Sequence, residues 1–389
     1  MHDFGRALRP LFLLAEDATF LNHGSFGACP REVLAEQERI RIAMENQPDV
    51  FFHREVMPGS GETTLRRAAA SVAAFVNAPP ECIAFTENAT AGVQAALRSI
   101  ELERGDRILV TSHTYNAMRL MVEERCAETG ASPLVVEIPA PTAADDIVWR
   151  FDQALATHVK VAIIDHITSP TALVMPLARI IPKLRAHGAR VIVDGAHAIG
   201  QVPLDLAALA PDWYVSNLHK WLFAPKGTAL FYASKEVAGS TRPNVVSHFI
   251  AMGFPASFDY TGTRDNSGWL AAPAAIRFFE HLGPAHVRAY QKHLLEHADE
   301  MLGALGATAI APLAMNAAMR SFVLPQRRAA VQDDAEALID ALWTRHRIQG
   351  WSKAFDGRLL LRISAQVYVD DDDLARLRDA LKADGWPAR

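Results

Sequence analysis

Lys220 follows a histidine in SNLHKWLFAPKGTALFY, Ser216 to Tyr232, at the mouth of a run otherwise fit for burial. A desolvated lysine is costly unless its charge is paired or its amine does chemistry. Lys220 therefore needs a partner or a reaction. Two upstream stretches hold the other parts of one. VIVDGAHAIG places Asp194 and His197 directly after an apolar run, and TENATAG places Asn88, Ala89 and Thr90 at a helix start before Gly92. A strand-end aspartate alone reads equally well as a turn or cap residue, and NAT alone as a helix cap. In combination they read differently, because helix-start N–H groups and a threonine hydroxyl also make a phosphate cradle. A lysine amine for a Schiff base, a carboxylate for a pyridine nitrogen and donors for a phosphate are the requirements of pyridoxal phosphate.

The elements that must position these residues follow an alternating rhythm. Short Val- and Ile-rich runs, DRILVTS, VKVAIIDH, ARVIVDGA, DWYVSN and GTALFYA, are separated by helical stretches such as NATAGVQAALRSI and NAMRLMVEERCAETG. This is the pattern of a mostly parallel sheet in a three-layer α/β fold. Such sheets bind ligands outside the carboxyl ends of their strands. Four successive runs end in chemistry-bearing residues: His113 and Tyr115, Asp165 and His166, Asp194 and His197, and His219 and Lys220. After about Asn266 longer helical stretches, with SFVLP and RLLLRIS among them, read as a smaller α+β domain. The division expected is residues 20–265 for the large domain, with 1–19 and 266–389 forming the smaller one.

The chain's 389 residues, half of them hydrophobic, suit about two domains. A formal charge of -5 and the lack of a dense basic run with interleaved aromatics argue against a nucleic-acid partner. Cys29, Cys82 and Cys126 have no close Cys/His pairing, which argues against a disulfide framework or a zinc site, so no metal is expected. No apolar span of about 18 residues is present and the N-terminal apolar patch is short, so no membrane association is expected and the protein reads as cytoplasmic. No G-x-G-x-x-G follows any of the strands, which sets aside a nicotinamide dehydrogenase.

FLNHGSFGACP, FTENATAG, TSHTYNA, VDGAHAIGQVPLDL, SNLHKWLFAPKGTALFY, YTGTRDNS and LRIS, in that order from about Phe20 to Ser364, resemble the class V aminotransferase-fold pyridoxal-phosphate enzymes of fold type I, in the isopenicillin N epimerase-like branch. The resemblance implies Lys220 as Schiff-base lysine and Asp194 as partner of the pyridine nitrogen. His197 would reach the cofactor's phenolic oxygen, Ala196 would lie under the ring, and His113 would stack on it, with Tyr115 the rival. Asn88, Ala89, Thr90, His219 and Ser216, or Asn217 beside it, would hold the phosphate. Thr261 and Thr263 would reach the partner's phosphate across a homodimer interface. Arg362 would grip the substrate carboxylate, with Asn22, His23, Arg54 and Tyr115 near the substrate.

The activity implied is chemistry at Cα of an amino acid held on the cofactor, foremost epimerisation. A carbon-sulfur lyase acting by β-elimination is the alternative, an aminotransferase a weaker one, and an idle binding subunit the non-enzyme reading. Family members that form a persulfide carry a cysteine shortly before the carboxylate-binding arginine. None stands in TRHRIQGWSKAFDGRLLLR, so that activity is not expected.

Overall fold

A computed structural model describes residues 4–59 and 61–386. Its strands are β1 (Thr19–Phe20), β2 (Ile83–Thr86), β3 (Arg107–Thr111), β4 (Ser132–Val136), β5 (Val161–Asp165), β6 (Arg190–Asp194), β7 (Trp213–Asn217), β8 (Ala229–Ala233), β9 (Thr308–Ala309), β10 (Met319–Leu324), β11 (Ile348–Gln349), β12 (Trp351–Phe355) and β13 (Arg358–Ser364). The central sheet has the order β2-β8-β7-β6-β5-β3-β4. Only β8 runs against its neighbours, β2 and β7; the other pairings are parallel. The five runs read from the sequence are β3, β5, β6, β7 and β8. Every residue of β5, β7 and β8 is buried, as expected for strands covered on both faces by helices.

Local signals place the helices that support the site. Asn88 caps the helix Ala89–Arg98 by accepting from the Ala91 N–H at 2.9 Å. A side chain at Gly92 would strike Val215, so glycine lets this helix approach β7 closely. The helix Asn116–Thr129 ends on Gly130 in the left-handed conformation. The edge strand β4 was absent from the sequence expectation, and its composition explains why. Its run is SPLVV, with a proline inside and mostly solvent-facing side chains, and it pairs only with β3.

A second, antiparallel sheet, β12-β13-β10-β9, lies in the C-terminal third with the helices Pro284–Gly303, Gln332–His346 and Asp371–Ala383. The N-terminal segment lies against this region: Gly5 N–H donates to the Val367 carbonyl and β1 pairs in parallel with β11. Residues 1–3 and 387–389, counted in the smaller domain from the sequence, lie outside the described residues. The helix Ala272–Leu282 packs against Arg31–Asn46 and Thr64–Phe75, and one hydrophobic core runs across the position where the texture changes. Among the described residues no helix is long and apolar enough to cross a membrane, and no group of His, Cys, Asp and Glu could hold a metal ion.

Candidate active site

The parallel strands bring their carboxyl ends to one edge, and there a cavity of about 280 Å³ opens between the central sheet and the N-terminal segment. Asp165 and Asp194 are direct register partners at the ends of β5 and β6, and both line it. Thr90, Tyr115, His197, Asn217, His219 and Lys220 also face it, with Ser25 and Phe26 closing the side opposite the sheet.

Lys220 sits between β7 and β8, and its backbone is clamped from behind. The His23 ring donates through Nε2 to the Lys220 carbonyl at 2.9 Å and accepts at Nδ1 from the Tyr368 hydroxyl at 2.6 Å. Burial pushes His23 down to about 3, so the ring is neutral and this donor-acceptor arrangement is fixed. Gly27, at φ 70°, lets the N-terminal segment pass directly against this loop, since a side chain there would strike the His219 carbonyl.

The Lys220 Nζ lies 3.3 Å from His197 Nε2. On the other side of that imidazole, Trp221 Nε1–H donates to Nδ1 at 3.4 Å. An indole N–H only donates, so Nδ1 is an acceptor; burial holds His197 well below its ordinary value. The single ring proton therefore sits on Nε2 and points at Nζ, which must accept it with a lone pair. Burial and the Arg362 charge push Lys220 down to about 7, with Asp194 opposing. Both the hydrogen-bond geometry and the desolvation thus favour the neutral, nucleophilic amine. Asp194 is held in place by accepting from the Ala196 N–H at 2.9 Å.

The far end of the cavity is a helix N-terminus. Asn88 takes the Ala91 amide and Asn217 takes the Ala89 amide at 2.8 Å, leaving Thr90 turned toward the cavity beside His219. His219 donates through Nδ1 to the Thr228 carbonyl at 3.0 Å, so Nε2 is the ring nitrogen left for a ligand.

Arg362 is 1% exposed and lies behind the opposite wall. It stacks over Trp351, its cross-strand partner, with Cζ 4.3 Å from the ring centre. Nη1 donates to the Ser169 carbonyl at 2.5 Å, whereas Nη2 makes longer bonds to Asn22 Oδ1 at 3.2 Å and Ser25 Oγ at 3.4 Å. Nε is buried without a partner. Ser25 and Ser169 both line the cavity, so the guanidinium stands one hydrogen bond away from it.

Lys220, Asp194, Ala196, His197, His219, Asn88, Ala89, Thr90 and Tyr115 all come together as the sequence anticipates. Eight others do not line this cavity, Arg362 behind the wall among them. His113 is fully buried with both nitrogens committed, Nδ1 accepting from Thr171 at 2.6 Å and Nε2 donating to the Ile138 carbonyl at 2.9 Å, and its ring packs on Phe355. Two residues farther along the turn, Tyr115 faces the cavity in its place. Ser216 points away because side chains alternate along β7; its hydroxyl donates to the Gly195 carbonyl while Asn217 faces inward. His23 serves the Lys220 backbone rather than the cavity, Asn22 meets Arg362 from behind the wall, and Arg54 is exposed on the segment Phe52–Val56. Thr261 and Thr263 belong to a separate surface region, Thr261 beside Arg264 and Trp269 and Thr263 against Tyr260.

Asp165, Phe26, Ser25 and Ser169 were not assigned to the site from the sequence. Asp165 was visible as a strand-end acid, and Phe26 and Ser25 lie inside NHGSFG, but nothing in the residue types signalled that this helical turn folds over Lys220.

The donor set suits pyridoxal phosphate: a neutral buried amine for the aldehyde, an acid and an imidazole N–H beside it, and a helix start carrying Thr90 for the phosphate. The comparisons with known proteins agree. Residues 46–377 match the family model for aminotransferase class-V. An isopenicillin N epimerase of Streptomyces clavuligerus is 30% identical over 96% of this chain and 97% of its own. An L-cysteine desulfhydrase of Arabidopsis thaliana is 28% identical over 93% of this chain and 86% of its own. In fold, a cysteine desulfurase of Thermococcus onnurineus NA1 superposes with a TM-score of 0.81 at 18% identity, covering 98% of both chains. With Lys220, Asp194, His197 and the helix start at Asn88 gathered around one cavity and the match running through most of its length, this chain belongs to the class V aminotransferase family of pyridoxal-phosphate enzymes.

Proposed function

We propose that the enzyme removes the Cα proton of an amino acid and returns one to the other face of that carbon, an epimerase-like reaction. The observation that carries this reading is the neutral Lys220 amine, oriented by His197, in a cavity that also holds the phenol of Tyr115. Inverting a carbon centre needs a base on one side and an acid on the other. Lys220 takes the proton on Nζ. Tyr115, 45% exposed at the cavity mouth, supplies the second group, a role closed to His113 by its two committed nitrogens.

Asp194 would pair with the cofactor's pyridine nitrogen and favour its protonated form, and His197 would be placed to donate to its phenolic oxygen. Thr90 and His219 would hold the phosphate, the Ala89 and Ala91 amides on either side of Thr90 being taken by Asn217 and Asn88. Pyridoxal phosphate, when bound, supplies the electron sink for the charge left at Cα. Arg362 orients the substrate carboxylate through Nη2, whose long bonds to Asn22 and Ser25 are the ones a carboxylate replaces most cheaply. We further read the protein as a cytoplasmic homodimer in which Thr261 or Thr263 of one chain completes the phosphate site of the other.

A second reading is favoured by the desulfhydrase relatives, which match at similar identity to the epimerases. The Lys220 step is the same, but the Cβ–S bond then breaks, releasing sulfide and leaving pyruvate and ammonia after hydrolysis. Incubation with a panel of amino acids in deuterated water separates the two. Deuterium at Cα with inversion supports the epimerase; pyruvate and a sulfur product without inversion overturn it in favour of the lyase.

A further inference from the structure

Asp165 and Asp194 present a pairing that the reaction above does not use. Their strands are parallel neighbours, spaced about 4.8 Å apart, and the two residues are register partners, so both carboxyls leave the sheet on the same face. Both are 4% exposed and both line the cavity. Two carboxylates this close and this buried resist ionising together, because each charge raises the cost of the other in a low-dielectric site.

We propose that Asp165 and Asp194 form a carboxyl pair that retains one proton, carried by Asp165, so that Asp194 alone is ionised toward the cofactor. The surroundings break the symmetry. Burial raises Asp194 as well, but the Ala196 N–H that it accepts at 2.9 Å favours its anion. At Asp165 burial, followed by the Asp194 charge, raises the carboxyl well above the ordinary range, outweighing the opposing pull of the Tyr115 backbone and the Thr114 hydroxyl in the turn after β3. The other titratable groups around the pair are His197, Tyr214 with His166 bonded to its hydroxyl, Tyr115 and Arg362. His197 and His166 are held neutral by burial and Tyr214 is pushed far above its ordinary value, so none of the three takes the proton.

A single negative charge on the pair matches a single pyridinium charge. A doubly ionised pair would hold the Lys220 amine protonated. Asp165 is thus a positioning residue that acts through Asp194: it sets the charge beside the cofactor.

The direction of the pair toward a pyridine nitrogen rests on the cofactor reading, but its shared proton does not, so the test reads the carboxyls themselves. Infrared spectra of the full-length protein, as purified and after cofactor removal, are compared for wild type, Asp165→Asn and Asp194→Asn near pH 8. Asparagine keeps the shape without the titrating carboxyl. The expected wild-type minus Asp165→Asn difference contains a protonated-carboxyl carbonyl band, and in Asp194→Asn the Asp165 band disappears at lower pH, the like charge having gone. A difference that contains only ionised-carboxylate bands, or an Asp165 band whose titration is unmoved in Asp194→Asn, overturns the proposal. Neither outcome touches the cofactor assignment, which stands or falls on covalent labelling of Lys220.

Discussion

The Nε2 proton of His197 points at the Lys220 Nζ across 3.3 Å, and Trp221 fixes that direction from the other side of the ring. A lysine so placed carries far more free amine at neutrality than an ordinary lysine. Its value is lowered to about 7, so the ammonium dominates well below pH 7, the two forms are balanced near it, and the amine dominates as the pH rises further. Cofactor-free protein should capture pyridoxal phosphate at a rate that rises through pH 7 and then levels. Borohydride reduction and peptide mapping should place the pyridoxyl group on Lys220. A capture rate that keeps climbing to about pH 10, the range of an ordinary lysine, contradicts the depressed value. A label on another residue removes the assignment altogether.

Asp194→Ala should retain the cofactor, because the phosphate end and Lys220 are untouched. Its loss of the charge opposite the pyridine nitrogen should slow Cα exchange in deuterated water by about 100-fold or more, the scale of removing one preorganised electrostatic partner. Exchange at the wild-type rate would exclude this role.

Much of the site is legible in the sequence because strand ends in a parallel sheet converge, so residues following separate apolar runs belong to one place. Lys220, Asp194, His197 and the helix start at Asn88 follow that logic. What was not legible depends on side-chain direction within a turn or along a strand. His113 and Tyr115 are two residues apart in one turn, and only the packing of His113 between Thr171 and Ile138 decides which of them faces the cavity. Ser216 and Asn217 differ by one step of β7, which exchanges the faces of the sheet. The edge strand β4, with its proline and exposed side chains, gave no apolar signal to read.

Arg362→Lys should raise KM for the amino acid by about 10- to 100-fold with a smaller change in kcat, the cost of losing the charge-assisted hydrogen bond that Nη2 supplies. The substitution also removes the stacking plane over Trp351, so thermal stability should be measured alongside. An unchanged KM assigns Arg362 to structure, where its bonds to Ser169 and Asn22 would suffice.

A shared active site predicts that activity is lost on dilution below the dimer dissociation constant. Sedimentation at low concentration should show a dimer, and replacing Thr261 and Thr263 together with Ala should weaken cofactor affinity without altering the dimer. A fully active monomer would rule out the contribution across the interface.

The last prediction concerns sulfur. A desulfurase that stores sulfur on the enzyme needs a nucleophilic thiolate able to reach the substrate, and thiolate character requires exposure or nearby positive charge. Cys29, Cys82 and Cys126 are all buried, and burial pushes each thiol up, Cys29 to about 12. None of them lines the cavity, and the stretch leading into Arg362 contains no cysteine. Incubation with L-cysteine should therefore leave no persulfide on the protein by mass spectrometry, and any sulfur released should appear directly as sulfide. Replacing all three cysteines with Ala or Ser should leave turnover of the true substrate within about two-fold, apart from the modest packing cost of emptying small buried sites. A protein-bound persulfide that disappears in one of these variants would show that a buried thiol reaches the cavity after all, and would move the chain toward the desulfurases that share its fold.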